Sequence, residues 1–180
     1  LPAPLGDWAS DQALIDLTGT LQPDNALNIQ RFSAESGSLR LNGSGTLSSD
    51  QVLSASTDLS AGEAQLAGYR LSKLDGQANV SGPLDNLAFT VVLEAPELGN
   101  ESLAFNDVRL GADGSYADGA LAANASLDAG TSEGPLDLKT GIALNGSSWT
   151  VSDLDASWGD LVADANLSGQ GGNIAELRGT

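Results

Sequence analysis

The sequence lacks the side chains on which most enzyme chemistry depends. It contains no cysteine, no histidine and no methionine. Without cysteine there are no disulfides and no thiolate metal ligands, and without histidine there is no Ser-His-Asp or Cys-His nucleophile and no ordinary base at neutral pH. We therefore expect a protein that is not an enzyme and needs no cofactor.

Positive charge and aromatic side chains are scarce as well. Seven basic residues stand against 24 acidic ones, which gives a formal charge of −17. Nucleic acid binding is therefore disfavoured, because it depends largely on Lys and Arg that neutralise phosphates. Only three Trp, three Phe and two Tyr contribute to a hydrophobic fraction of 41%, so leucine and alanine would form a smooth-walled interior. No apolar run is long enough to cross a bilayer.

A spacing pattern that recurs along the chain is the main positive signal. Between 27 and 41, apolar residues lie two apart, then three apart, then two apart again, around a turn at Gly37. The segment 149–163 repeats this order around Gly159, with every position 122 residues further on. Alternation with a period of two indicates a strand with one apolar face and one polar face. The three-residue step predicts a β-bulge.

The same alternation fills most of the chain and predicts about a dozen strands in an antiparallel meander, with no convincing helix. It begins at Ala13–Leu21 and is clearest at Leu87–Leu93. A loop at Gly130–Pro135 is the only candidate linker, and the pattern resumes beyond it, so we expect one domain, 1–180. Asn-Gly and Asp-Gly pairs, which favour the positive φ of hairpin turns, occur at Asn42–Gly43, Asp75–Gly76, Asp113–Gly114, Asp118–Gly119 and Asn145–Gly146.

The abundant acids admit two further interpretations. Paired carboxylates could serve a hydrolase of the glycosidase type, and Asp113 with Asp118 could hold Ca²⁺. Most acids lie beside turn glycines or alternate outward along strands, however, so a solvated face explains them better. We predict no metal site.

Three stretches carry a resemblance to a known family: LNIQRFSAESGSLRLNGSGTLS (27–48), YRLSKLDGQANVSGPLDNLAFTVVLEAP (69–96) and the segment 149–169. Together they resemble the TamB family, the inner-membrane component of the translocation and assembly module within the wider AsmA-like group. The resemblance implies an all-β sheet, a long antiparallel meander curled into a taco-like groove or open tube with an apolar interior. It also implies that the chain is a segment of a much longer periplasmic protein anchored in the inner membrane of a Gram-negative bacterium.

The function implied by this resemblance is that of a bridge towards the outer membrane, which supports outer-membrane assembly, autotransporter secretion and phospholipid transport. The partners would be phospholipid acyl chains or unfolded outer-membrane strands, with an Omp85-class, TamA-like barrel contacted by other parts of the parent protein. The alternative is a secreted, adhesin-type β-sandwich or solenoid that binds through its loops. We predict that the groove is lined by Ile29, Phe32, Leu39, Leu41, Phe89, Val91, Leu103, Phe105, Leu121, Leu138, Ile142, Val151 and Leu154.

Overall fold

A computed structural model describes residues 12–66, 68–100, 102–171 and 173–179, and it is all-β over these ranges. No helix in this part of the chain has the length and apolar character to pass through a membrane. The strands are β1 (Leu14–Leu21), β2 (Leu27–Ser36), β3 (Leu39–Leu47), β4 (Val52–Ala61), β5 (Ala64–Leu66), β6 (Tyr69–Leu71), β7 (Leu74–Pro83), β8 (Asn86–Gly99), β9 (Ala104–Ala117), β10 (Ala120–Thr131), β11 (Gly134–Asn145), β12 (Ser148–Trp158), β13 (Leu161–Gln170) and β14 (Asn173–Gly179).

These strands form one 14-stranded antiparallel sheet that follows chain order from β1 to β14, apart from β5 and β6. The predicted antiparallel meander is confirmed. The first and last strands pair only with β2 and β13 within the described ranges, so the sheet is not closed. The β5–β6 pairing continues the register of β4 with β7, which makes these four strands one long hairpin interrupted near Gly62 and Ser72. At its end, Leu71 of β6 pairs with Leu98 of β8.

The three-residue steps in the sequence coincide with bulges, as predicted. In β2 an extra residue lies between Ile29 and Phe32, relative to both neighbouring strands. In β12 the register shifts between Val151 and Leu154. Asp153, inside that shift, has a φ of 51°. A bulge accommodates one extra residue and bends the strand, so the apolar side chains on either side of it stay on one face.

Two of the five predicted Asn-Gly and Asp-Gly turns are present. Asp118 and Gly119, with φ of 52° and 78°, form the two-residue connection from β9 to β10. Gly146, with a φ of 58°, begins the connection from β11 to β12. Positive φ at these positions suits the twist of a tight hairpin.

The other three predicted turns, at Asn42–Gly43, Asp75–Gly76 and Asp113–Gly114, are wrong, because each pair lies inside a strand. The Asn or Asp lies on the polar face of the sheet and the glycine on the apolar face. There each glycine is paired with larger residues on adjacent strands: Gly43 with Phe32 and Thr57, Gly76 with Leu59 and Leu93, and Gly114 with Phe89 and Ala123. These glycines make room between strands and do not reverse the chain.

The predicted loop at Gly130–Pro135 is also shorter than expected. Gly130 pairs with Pro135 and Thr131 with Gly134, so only residues 132 and 133 connect β10 to β11. Thr131 Oγ donates to the Gly134 carbonyl at 2.7 Å, and the Trp158 indole N–H donates to Thr131 Oγ at 2.8 Å. The sheet therefore continues through the only candidate linker.

Very little of the molecule is a closed core. The buried apolar residues of the described ranges are Leu71 and four alanines, and no large side chain is fully buried. The accessible surface is 11,446 Å², whereas a compact protein of 18.2 kDa would expose about 8,100 Å². The sheet is therefore predominantly a single layer.

Candidate binding face

Cross-strand pairing aligns apolar residues into rows that run across the sheet. Residues directly opposite each other in antiparallel strands point to the same face, so each row lies on one side. The central row contains six leucines, interrupted once by a glycine, and then alanines towards β13. Its members are Ile15, Ala34, Leu41, Leu59, Gly76, Leu93, Leu110, Leu127, Leu138, Ala156 and Ala163.

Parallel rows on the same face are equally apolar. A second row lies two residues along the strands from the central row. It contains Phe32, Gly43, Thr57, Ala78, Val91, Ala112, Ala125 and Thr140. A third row lies two residues beyond the second. It contains Ile29, Gly45, Ala55, Val80, Phe89, Gly114, Ala123, Ile142, Val151 and Leu167. We call this side of the sheet, from β1 to β13, the apolar face. It carries no ionisable side chain in these three rows.

The opposite side is polar and mostly acidic. One of its rows, adjacent to the central row, contains Arg40, Ser60, Asp75, Glu94, Arg109, Asp128, Asp137 and Ser157. Arg109 pairs with Glu94 at 2.7 Å and Lys73 with Asp75 at 2.7 Å, but these side chains are about half exposed or more. Such pairs contribute little stability. The charged side chains of these rows therefore face water on the side opposite the apolar face.

Of the thirteen residues predicted to line a groove, eleven lie on the apolar face by their register. Leu41 and Leu138 are in the central row, Phe32 and Val91 in the next, and Ile29, Phe89, Ile142 and Val151 in the third. Leu39, Leu121 and Leu154 share strand parity with their neighbours in these rows. Most of these large side chains are half-buried.

The remaining two predicted residues lie elsewhere. Leu103 precedes β9, where its carbonyl accepts from the Asn100 N–H at 2.8 Å, and it belongs to no strand. Phe105 pairs with Leu98 near the end of β8, beyond the positive φ of Asp107. It lines a separate hollow of about 840 Å³ together with polar residues that include Arg70, Ser72 and Glu97. In that region the Glu63 carboxylate, hydrogen-bonded to Arg70, raises the pKa of the guanidinium further above its ordinary value.

Four leucines of the central row, Leu59, Leu93, Leu110 and Leu127, were missed by the sequence analysis as lining residues. Leu93 lies two residues after Val91, and Leu127 lies six residues after Leu121, so alternation within these strands could have identified both. Leu59 lies on a strand with no predicted lining residue, and Leu110 lies an odd number of residues from Phe105, so local alternation does not identify them. Each strand has two sets of alternating side chains, one on each face. The bulges and the register of the sheet determine which sets on adjacent strands share a face.

A shallow hollow marks the apolar face where β2, β3 and β4 adjoin. Its floor is Gly43 and Gly45, which lack side chains between larger residues on both sides: Ile29 and Phe32 on β2, and Ala55 and Thr57 on β4. The hollow has a volume of about 260 Å³, and Leu27, Leu47 and Leu53 line its far end. It is smaller than the 300–1,000 Å³ typical of pockets that enclose a whole ligand. It suits one segment of an apolar chain.

Comparisons of this chain with known protein families, with curated proteins and with solved structures find no match. Within the described ranges, no group of three or more acidic residues is arranged to hold a metal ion. Asp113 lies in the middle of β9 and Asp118 in the turn that follows it. The candidate site is therefore defined by the apolar face alone.

Proposed function

We propose that the apolar face binds extended apolar chains, either the acyl chains of phospholipids or the apolar sides of unfolded outer-membrane strands, without catalysis. The observation that carries this proposal is a broad apolar face on a sheet with no large side chain fully buried in the described ranges. A closed sandwich, the alternative, would bury such leucines and phenylalanines between two layers. Here they stay half-buried and accessible.

The energetics of this face suit a chain that binds and slides. Each acyl methylene taken out of water contributes about 0.8 kcal/mol, so contact with a few leucines holds an acyl segment. The central row crosses strands β1 to β13, and at about 4.8 Å between strands it extends for on the order of 50 Å. Leucine and alanine repeat along it without a deep pocket, so a bound chain meets similar surroundings at successive positions.

We further propose that the sheet curls around this cargo into a taco-like groove with the apolar face inside. The right-handed twist of strands and the bulges in β2 and β12 favour curvature. Glycines at Gly43, Gly45, Gly76 and Gly114 reduce the bulk of the face that would become concave. The acidic opposite side would then form the outer wall.

In this proposal the chain is one segment of a TamB-like bridge across the periplasm, in a protein anchored in the inner membrane of a Gram-negative bacterium. The support is the resemblance of the segments 27–48, 69–96 and 149–169, together with a fold that consists of one repeating strand pattern. Contact with a TamA-like outer-membrane barrel is assigned to other parts of the parent protein. The cargo would pass along the apolar face from segment to segment.

Charge substitutions on the two sides of β8 and on the two sides of β10 test the binding proposal. Phe89→Asp and Leu121→Asp place a carboxylate on the apolar face, and the matched controls Thr90→Asp and Ala122→Asp place it on the neighbouring, exposed side. We expect the first pair to lose crosslinking to a phospholipid with a photoreactive acyl chain, and the controls to retain it. Far-UV circular dichroism checks that all four variants fold.

Equal crosslinking of all four folded variants would refute the apolar face as the binding site. Loss of the β-sheet signal in the Phe89 and Leu121 variants alone, with no lipid captured by the wild type, would favour an ordinary core and the adhesin-type alternative. Competition by a peptide with alternating apolar residues separates the two cargo classes.

A further inference from the structure

We propose that the shallow hollow over Gly43 and Gly45 is a seat for one acyl chain, at which a phospholipid pauses on its way along the apolar face. The inference rests on the proposed function and adds to it a place and a choice between the two kinds of cargo. Among the described strands, β3 alone has glycine at two successive positions of the apolar face. A bound chain can therefore approach the backbone there over more than one residue.

The second copy of the spacing pattern shows that the hollow does not arise from the bulge itself. Gly43 and Gly45 pair with the apolar residues on either side of the bulge in β2. At the equivalent positions, 122 residues further on, Ala165 and Leu167 pair with the apolar residues on either side of the bulge in β12. The same strand geometry therefore occurs once with this space open and once with it filled.

The size and the lining of the hollow suit a chain of methylenes. A cavity of about 150 Å³ lined by Leu, Ile and Phe holds benzene, which has six carbons, so on that scale about 260 Å³ accommodates a segment of about ten carbons. Leu41 lies two residues before Gly43 and Leu47 two residues after Gly45, which bounds the segment at both ends. No lining residue is ionisable, so the neutral acyl chain is complementary to the hollow and the charged headgroup lies outside it.

The backbone under the hollow favours an acyl chain over a polypeptide strand. Both sides of β3 are already paired, with β2 and with β4. A strand laid in the hollow would bring its own N–H and C=O groups against an apolar wall with no free partner, which is costly. An acyl chain has no such groups. A single side chain such as leucine, with four carbons, would fill less than half of the space.

Filling the hollow from β4 tests the seat. A Cβ built on Gly45 would lie 3.0 Å from the Ala55 Cβ, so a longer side chain at position 55 enters the hollow while both glycines stay in place. Ala125→Leu is the matched control for Ala55→Leu, because Ala125 is also a half-buried alanine of the apolar face, on β10. The probe is a phospholipid with a photoreactive group midway along its acyl chain, and crosslinks are mapped by peptide mass spectrometry.

We expect the wild type and Ala125→Leu to be labelled mainly within residues 27–57. Leucine at position 55 displaces about three methylenes of the bound chain, so Ala55→Leu should lose this labelling by at least about tenfold. Far-UV circular dichroism checks that both variants fold.

Cysteine substitutions give a second measurement with a smaller change in volume, and the chain has no cysteine of its own. The variants are Ala55→Cys in the hollow and Ala125→Cys outside it. With one phospholipid per protein, we expect the reaction of Ala55→Cys with a maleimide to slow several-fold and that of Ala125→Cys to change little.

The outcomes separate the seat from the proposed function. Crosslinks spread evenly from β2 to β13, or equal protection of the two cysteines, would overturn the seat and leave the apolar face as the binding surface. Labelling of the hollow by a photoreactive peptide with alternating apolar residues, as strong as that by the lipid, would overturn the choice of cargo. A wild type that captures no lipid at any position would overturn both proposals.

Discussion

At the scale of single residues, glycines on the apolar face set how closely neighbouring strands pack. A Cβ built on Gly114 would overlap the Ala122 carbonyl oxygen and lie 2.7 Å from the Ala123 Cα, both on the adjacent strand. Backbone atoms cannot rotate away as a side chain can. Glycine at this position is therefore required by the sheet itself.

We expect Gly114→Ala to destabilise the protein by about 1–3 kcal/mol, the usual cost of overpacking. Gly130→Ala is the matched control, because its Cβ would meet only Asn106, at 3.5 Å from the carbonyl oxygen and 4.0 Å from the Cβ, which are ordinary contacts. Alanine there restricts the unfolded chain and should leave stability unchanged or raise it by about 0.4–1 kcal/mol. Urea denaturation followed by circular dichroism measures both. Similar losses for the two variants would show that Gly114 has no special packing role.

At the scale of strands, bulges keep the apolar residues of a strand on one side. If β12 alternated regularly with no bulge at this point, Leu154 and Ala156 would point to the face opposite Val151. Asp153 carries the positive φ of this bulge, and its N–H donates to the Asn166 side chain at 2.9 Å. Aspartate tolerates this conformation better than most residues, and β-branched residues tolerate it poorly.

The stability of variants at position 153 should therefore depend on how well the new residue tolerates a positive φ. We expect Asp153→Val to lose about 1–2 kcal/mol of stability, the cost of a left-handed conformation, and Asp153→Gly to retain it. Asp155→Val, on a regular and exposed position of the same strand, should be close to neutral. Chemical denaturation of the three variants measures the differences. A valine equally tolerated at 153 and 155 would contradict the proposed role of the bulge.

The bulges also explain which parts of the fold the sequence predicts. A three-residue step between apolar residues is a local signal, and it correctly marks the irregularities at Ile29–Phe32 and Val151–Leu154. The interior pairs such as Asp75–Gly76 misled the turn prediction, because a polar residue followed by glycine also fits the period of a strand. Only the cross-strand partners Leu59 and Leu93 reveal that Gly76 makes room for them. Partners far apart in sequence leave no local signal.

The residues of the candidate site were also predicted from the local spacing of apolar residues, which does not reveal their cross-strand partners. Parity within a strand places Leu39 with Leu41 and Ile142 with Leu138. It fails at Phe105, where the chain passes the positive φ of Asp107 and pairs with Leu98 at the extended end of the sheet. Rows across the sheet are a property of the register, which depends on every strand and bulge between the residues compared.

At the scale of the whole molecule, the extended single layer gives a shape that scattering can measure. The accessible surface of 11,446 Å² exceeds the value for a compact chain of this mass by about 40%. A compact protein of 180 residues has a radius of gyration of about 16 Å. We expect small-angle X-ray scattering to give a clearly larger value for the monomer, because an open sheet of many strands spreads its mass along the direction of its rows. Measurement at low protein concentration removes any contribution from association. A radius near 16 Å would mean that the sheet closes on itself in solution, and the apolar face would then be a core and not a surface for cargo.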